Sequence, residues 1–228
     1  GSTLYPLATG LDEHWLDHLK GTSLHSDRPA PDDDLPLAFD AVGPDDLGTI
    51  AHDVLTTAVE RGVSTATLED CAEPLAGRLE AAIDEQCRDV GGRERQQVAS
   101  YVRETVCPQF AATGVWERLQ SSAVYVEEPL DAVIPVADHT IETRNHADIV
   151  SRAPDGTWYV DDIKLVLADT DATRDRYALQ TAFYAWLLER QLDDATVRGR
   201  ITCVGERVDS TAGTAPVDDI ESWLARFA

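Results

Sequence analysis

Two aspartates and a lysine flank a turn in the segment His146-Ala-Asp-Ile-Val-Ser-Arg-Ala-Pro-Asp-Gly-Thr-Trp-Tyr-Val-Asp-Asp-Ile-Lys164. Pro154-Asp155-Gly156 separates two strand-like runs. Proline suits the first corner of a type I turn and glycine the left-handed position after it, which together make a three-residue hairpin loop with a bulge. Such a loop pairs Ala153 with Thr157, and counting back along both strands sets Asp148 opposite Asp162. Directly opposed residues share a face, with Cβ atoms about 5 Å apart. Lys164, two residues beyond Asp162, shares that face as well. Two ionised carboxylates so close repel each other unless a cation or a proton joins them. A divalent ion such as magnesium takes hard oxygen ligands, retains water and can stabilise charge on a phosphate.

Taken alone, the three residues could equally form an exposed structural ion pair. Two features favour chemistry. The second strand is otherwise apolar and aromatic, with Trp158, Tyr159, Val160 and Ile163, as in a central strand. Lysine is also almost absent: Lys20 and Lys164 are the two lysines among 19 basic residues. Arginine makes a surface ion pair with better geometry, whereas lysine offers a compact ammonium that can lose its proton.

The rest of the chain must position this hairpin. Residues 3–20 carry Leu11, Trp15, Leu16 and Leu19 on one side of a short amphipathic helix, and 21–46 form an irregular connector rich in Asp, Pro and Gly. A helix follows Pro44, with Asp45 or Asp46 available as its cap. Its stripe is Leu47, Ile50, Ala51, Val54, Leu55 and Ala58, and Gly62 ends it. Helical spacing continues over 67–89 and 92–121, the second stretch interrupted by Pro108. From Ala123 the period drops to two, predicting strands near 123–128, 131–136, 139–152 and 157–164. A helix over 174–191, strands at 196–204 and 206–209, and a last helix over 217–227 complete the pattern. Helices first, then a sheet with a helix packed on it, define a mixed α/β domain with a helical N-terminal half.

Asp148 followed after a hairpin by Asp162-Ile163-Lys164 resembles the D…(D/E)xK core of the PD-(D/E)xK nucleases. Leu47-Gly-Thr-Ile-Ala-His52-Asp-Val-Leu55 is similar to the LGxxxHxxL helix of RecB-type nuclease domains, Glu127-Glu128-Pro129 to their ExP strand, and Tyr177-Ala-Leu-Gln180-Thr-Ala-Phe-Tyr184 to their QxxxY helix. The four segments come in family order and span roughly two-thirds of the chain. The resemblance implies a restriction-endonuclease-like fold, a mixed β-sheet core flanked by helices, over residues 46–228. It implies a metal bound by His52, Asp148 and Asp162, with the Ile163 carbonyl as a further ligand. Lys164 would activate or position water, and Gln180 and Tyr184 would order the site or touch DNA. Asn145 stands where the family often has glycine, Ile163 where an aromatic residue is common, and Leu165 where Ser or Thr often follows the lysine. None of these departures removes a metal-binding or proton-transferring group.

The implied activity is hydrolysis of DNA phosphodiesters with Mg2+ or Mn2+, in repair or recombination, with a helicase domain or subunit as partner. The alternative is a non-catalytic DNA-binding or scaffolding module on the same fold. Arg174, Arg176, Arg190, Arg198 and Arg200 concentrate positive charge after the site, and Arg144 and Arg152 precede it; these are the candidates for phosphate contacts. His52 borders the apolar stripe of its helix, and His146 is a second candidate on the face of Asp148.

Composition bounds the setting. Forty-two acids against 19 bases give a net charge of −23, a self-repulsion that molar salt would screen. This points to a salt-rich cytoplasm such as that of halophilic archaea. Cysteines 71, 87, 107 and 203 fit neither a CxxC pattern nor a disulfide framework and read as buried thiols; the spacing that an iron–sulfur cluster needs is absent. No apolar run of about eighteen residues is present to span a membrane, and no secretion leader is visible. Gly1-Ser2 reads as an expression scar.

Overall fold

The computed structural model describes residues 39, 41–136, 139–165, 171–192 and 194–204. The expected helices at 3–20 and 217–227, the strand at 206–209 and most of the 21–46 connector lie outside these.

Helix α1 (Pro44–Arg61) starts and stops where local chemistry dictates. Pro44 occupies the first turn, where its missing N–H costs nothing. This makes Gly43, not Asp45 or Asp46, the cap residue, and leaves both aspartates inside the first turn facing the positive end of the helix dipole. Gly62 closes the helix at φ 57°, a left-handed angle that favours glycine. Leu47, Ile50, Ala51, Val54, Leu55 and Ala58 are all at most 1% exposed, so α1 is the central rod of the helical half.

The next expected helix is divided. α2 (Thr65–Glu69) is capped by Ser64, whose hydroxyl accepts the Thr67 N–H, and α3 (Leu75–Gln86) begins after Pro74. Proline lacks the donor that a helix interior needs and crowds the preceding turn. The stretch from 92 behaves in the opposite way around Pro108. α4 (Gly92–Tyr101) runs through a π turn at Val102–Val106 into α5 (Cys107–Ala111) without a break. The wider turn lies where the ring of Pro108 would otherwise meet the carbonyl of the preceding turn. The helix ends at Ala112, and Thr113 caps α6 (Gly114–Leu119) by accepting the Trp116 N–H.

Strands β1 (Ala123–Pro129), β4 (His146–Arg152), β5 (Trp158–Lys164) and β6 (Val197–Cys203) form one sheet in the order β1-β4-β5-β6. The β1/β4 and β4/β5 pairs are antiparallel and β5/β6 is parallel. Among the described residues β2 (Ala132–Val136) and β3 (His139–Thr143) pair only with each other. The single strand expected over 139–152 is therefore two. They divide at Asn145, which is fully buried: its carbonyl accepts the Leu130 N–H at 2.7 Å and its side-chain amide donates to the Leu130 carbonyl at 3.3 Å.

A parallel β5/β6 pair needs a crossover, and α7 (Asp171–Gln191) supplies it. The helix lies hard against β6: a Cβ on Gly199 would come within 2.7 Å of the Thr181 carbonyl. The sheet is thus covered on both faces. Ile149 and Ile163 face the core built by α1 and α3 to α6, while Val150 and Val160 face Leu187, Phe183 and Tyr184 of α7. This mixed sheet flanked by helices is the α/β architecture expected. All four cysteines are buried, and among the described residues no helix is long and apolar enough to cross a membrane.

Candidate metal centre

The hairpin loop forms as its residue types require. The Ala153 N–H donates to the Thr157 carbonyl and the Gly156 N–H to the Ala153 carbonyl, each at 2.9 Å, with Gly156 at φ 90°. The register follows: Arg152 pairs with Trp158, Val150 with Val160 and Ile149 with Asp161. Backbone pairing stops there. At the next position the carboxylate of Asp148, instead of its backbone, accepts the Ile163 N–H at 2.9 Å. The two strands part just where Asp148 and Asp162 come side by side on the α7 face.

Four elements converge on this fork. α1 brings His52, whose Nε2 lies 3.3 Å from Asp148 Oδ1 and 3.5 Å from Glu127 Oε1. β1 brings Glu127, which its register sets alongside Asp148 and which adopts φ 53°, an uncommon angle for a non-glycine residue. β5 brings Asp162 and Lys164, joined by a 2.9 Å hydrogen bond from the ammonium to Asp162 Oδ1. α7 brings Gln180, whose amide donates to the Tyr184 hydroxyl at 3.0 Å.

The electrostatics reflect this crowding. Burial raises the Asp162 carboxyl to about 7; the Lys164 ammonium opposes the shift and the Asp148 carboxylate adds to it. Burial also pushes Asp148 up, but the His52 imidazole, Lys164 and the Ile163 N–H outweigh it and hold the group below its ordinary range. His52 is the mirror case: burial pulls it down, and Asp148 and Glu127 more than reverse that. The Tyr184 hydroxyl is raised by burial and by the nearby carboxylates.

The donor set suits a hard divalent cation. Ligand atoms of His52, Glu127 and Asp148 all lie within 4.8 Å of one another. His52 Nε2 and Asp162 Oδ2 are buried without a well-directed hydrogen bond, a costly state for a polar atom that a cation would relieve. Of the residues expected from sequence, the structure brings His52 and Asp148 into one ligand group with Glu127, sets Asp162 and Lys164 beside Asp148 but outside that group, and places Gln180 and Tyr184 on the α7 wall, with Ile163 tied in through its N–H. Glu127 joins the cluster although the sequence reading assigned it no ligand role. Its signal was present in the Glu127-Glu128-Pro129 segment but needed the β1/β4 register to acquire meaning.

The expected arginines divide differently. Arg198 and Arg200 pair with Tyr159 and Asp161 across the parallel ladder, and alternation places them on the helical-half face, away from Asp162 and Lys164. Arg200 sits 4.7 Å from the centre of the Tyr159 ring. Arg174 and Arg176 lie on α7, with side chains outside the described ones.

That opposite face holds a second polar group that the sequence did not reveal. Asp161, fully buried, takes a two-pronged bond from the Arg118 guanidinium at 2.7 and 2.8 Å, and Arg118 also donates to Ser151 at 2.5 Å and lies 4.0 Å from the Tyr159 ring centre. Burial pushes the Asp161 carboxyl up, and Arg118 and Arg200 pull it back. The doublet Asp161-Asp162 is the sequence signal: on one strand its two acids must face opposite ways.

A mixed sheet whose central hairpin gathers two aspartates and a lysine beside a helical histidine and a glutamate offers a cluster that could hold a divalent ion. The sequence model of the PD-(D/E)XK nuclease superfamily matches residues 24–226, and the chain belongs to that superfamily. No curated protein matches it. Among solved structures, the crystal structure of SSO0001 is similar, with 17% identity, 77% of this chain and 84% of that chain covered, and a TM-score of 0.36.

Proposed function

We propose that this chain is a divalent-metal-dependent deoxyribonuclease of the RecB type that hydrolyses DNA phosphodiesters in repair or recombination, alongside a helicase domain or subunit. The observation that carries the reading is the meeting of His52 and Asp148 beside the Asp162–Lys164 pair, with His52 Nε2 and Asp162 Oδ2 both buried and poorly satisfied.

In this reading His52, Asp148 and Asp162 hold Mg2+ or Mn2+, with Glu127 and the Ile163 carbonyl as further oxygen donors. When bound, the ion offers Lewis-acid stabilisation of phosphate charge. The residues supply the rest. Asp148 and His52 orient each other, and the Ile163 N–H keeps one oxygen of Asp148 turned to the backbone. Lys164, held by Asp162, would steady charge on the phosphate with its ammonium and orient the attacking water. Gln180 and Tyr184 provide donors at the α7 wall. Arg174, Arg176, Arg198 and Arg200 remain proposals for contacts to flanking phosphates, and the back-face placement of Arg198 and Arg200 gives those two the longer reach. A salt-rich cytoplasm fits the net charge of −23.

The test is cleavage of end-labelled single-stranded and duplex DNA with Mn2+ or Mg2+ in 2 M KCl. Wild type should cut, and Lys164→Ala or added chelator should abolish cutting. Equal cleavage by wild type and Lys164→Ala refutes the reading. Metal-independent binding without cleavage would instead mark a scaffolding module.

A further inference from the structure

The α7 face of the sheet carries a second feature, beyond the metal centre. On the edge strand β1, two residues before Glu127, Tyr125 is 45% exposed. Its ring stacks on Trp158 with centroids 6.1 Å apart and planes at 21°. Trp158 is half-buried against the α7 core and so forms a fixed floor. Arg152, exposed and paired with Trp158 across the hairpin, holds its guanidinium 5.9 Å from the indole centre. Among the described residues Arg152 has no salt-bridge partner.

We propose that Tyr125, backed by Trp158 and flanked by Arg152, is a stacking platform for an unpaired base of single-stranded DNA whose phosphate backbone continues into the metal centre. The proposal rests on the nuclease reading above and narrows its substrate. An aromatic ring held flat, exposed and bordered by an exposed cation is the arrangement that takes a base on its π-face and the adjoining phosphate on the cation. Glu127 lies two residue steps along the strand from Tyr125, about 7 Å, or roughly two nucleotide steps of about 3.4 Å in a stacked strand. Bases of an intact duplex are already stacked on their neighbours, so the platform selects single strands or frayed ends. It also answers the charge problem. A chain at −23 repels DNA at long range, whereas stacking is insensitive to charge and survives the molar salt that screens phosphate contacts.

The experiment is fluorescence anisotropy of a labelled twelve-nucleotide single strand and the matching duplex, with the full chain, in 2 M KCl with EDTA. The single strand should bind more tightly than the duplex. Tyr125→Ala should weaken single-strand binding on the order of tenfold, Tyr125→Phe should retain it, and thermal unfolding of both variants should match wild type. Moving one abasic site along the strand should find a position that costs wild type the same factor and costs Tyr125→Ala nothing. Wild-type affinity in Tyr125→Ala, equal binding of duplex, or failure of the Phe variant to bind overturns the proposal. The readout is separate from cleavage. Tyr125-dependent binding without cutting upholds the platform and removes the nuclease reading; cutting with Tyr125-independent binding does the reverse.

Discussion

The carboxylate of Asp148 ends the β4/β5 ladder by accepting the backbone N–H of Ile163 at 2.9 Å, while its other oxygen faces His52 at 3.3 Å. One side chain therefore serves the fold with one oxygen and turns the other to the candidate metal centre. Asp148→Asn keeps a carbonyl oxygen for Ile163 but loses the charge. The variant should unfold within a few degrees of wild type, yet bind Mn2+ more weakly by at least the roughly 10- to 100-fold that losing even a residue behind a ligand costs, and lose cleavage. Calorimetric titration with Mn2+ checks this; undiminished affinity would remove Asp148 from the ligand set.

Metal should stabilise the fold, because it would tie together carboxylates from β1, β4 and β5 and an imidazole from α1. At a hundredfold excess over its Kd, Mn2+ should add about 2.7 kcal/mol. Glu127→Gln should reduce that gain, since it removes a carboxylate oxygen 3.5 Å from His52 Nε2. Thermal melts with and without Mn2+ measure both; a gain unaltered by Glu127→Gln would place Glu127 outside the coordination sphere.

Asp162 gives the metal-free protein a pH signature. Its carboxyl stands at about 7, chiefly because it is buried, against an ordinary value of 3.8. Between these values the folded chain holds a proton that the unfolded chain has released, so this group's contribution to stability is complete below about 4 and disappears as pH rises through about 7. Divalent ions require the ionised carboxylate, so Mn2+ affinity should rise over the same interval. Urea unfolding and Mn2+ titration from pH 4 to 8 test both slopes, and Asp162→Asn should flatten them.

The Arg118–Asp161 pair, 12% and 0% exposed at the side chain, should be the most sensitive polar contact for stability. Arg118→Ala strands a buried carboxylate and should cost about 3–5 kcal/mol. Part of that loss should return at low pH, where Asp161 takes up a proton. Chemical denaturation at pH 7 and pH 4 tests this; a loss below about 1 kcal/mol at both would mean that Asp161 is rehydrated in the variant.

With a net charge of −23, self-repulsion should weaken as the Debye length shrinks from about 10 Å at 0.1 M to about 3 Å at 1 M salt. The melting temperature should climb with KCl from 0.1 to 3 M. A flat profile would sink the salt-rich setting.

Local chemistry made much of this legible in the chain alone. Pro154-Asp155-Gly156 admits one hairpin loop, so the pairing of Ile149 with Asp161 and the common face of Asp148, Asp162 and Lys164 follow from the turn residues. Pro44 and Gly62 set the limits of α1 by their own backbone preferences. What required the folded molecule was every relation between segments distant in sequence. That 139–152 is two strands depended on β3 choosing β2 and β4 choosing β1 and β5, and Leu130 fastening to Asn145 makes that choice. Glu127 gained its place because β1 aligned it with Asp148. Arg118 reached Asp161 from another layer, and the parallel ladder turned Arg200 to the back face. Side-chain periodicity tells which residues share a face, but the partner that faces them is selected by packing and by the cost of leaving a buried charge alone, and neither is written in local spacing.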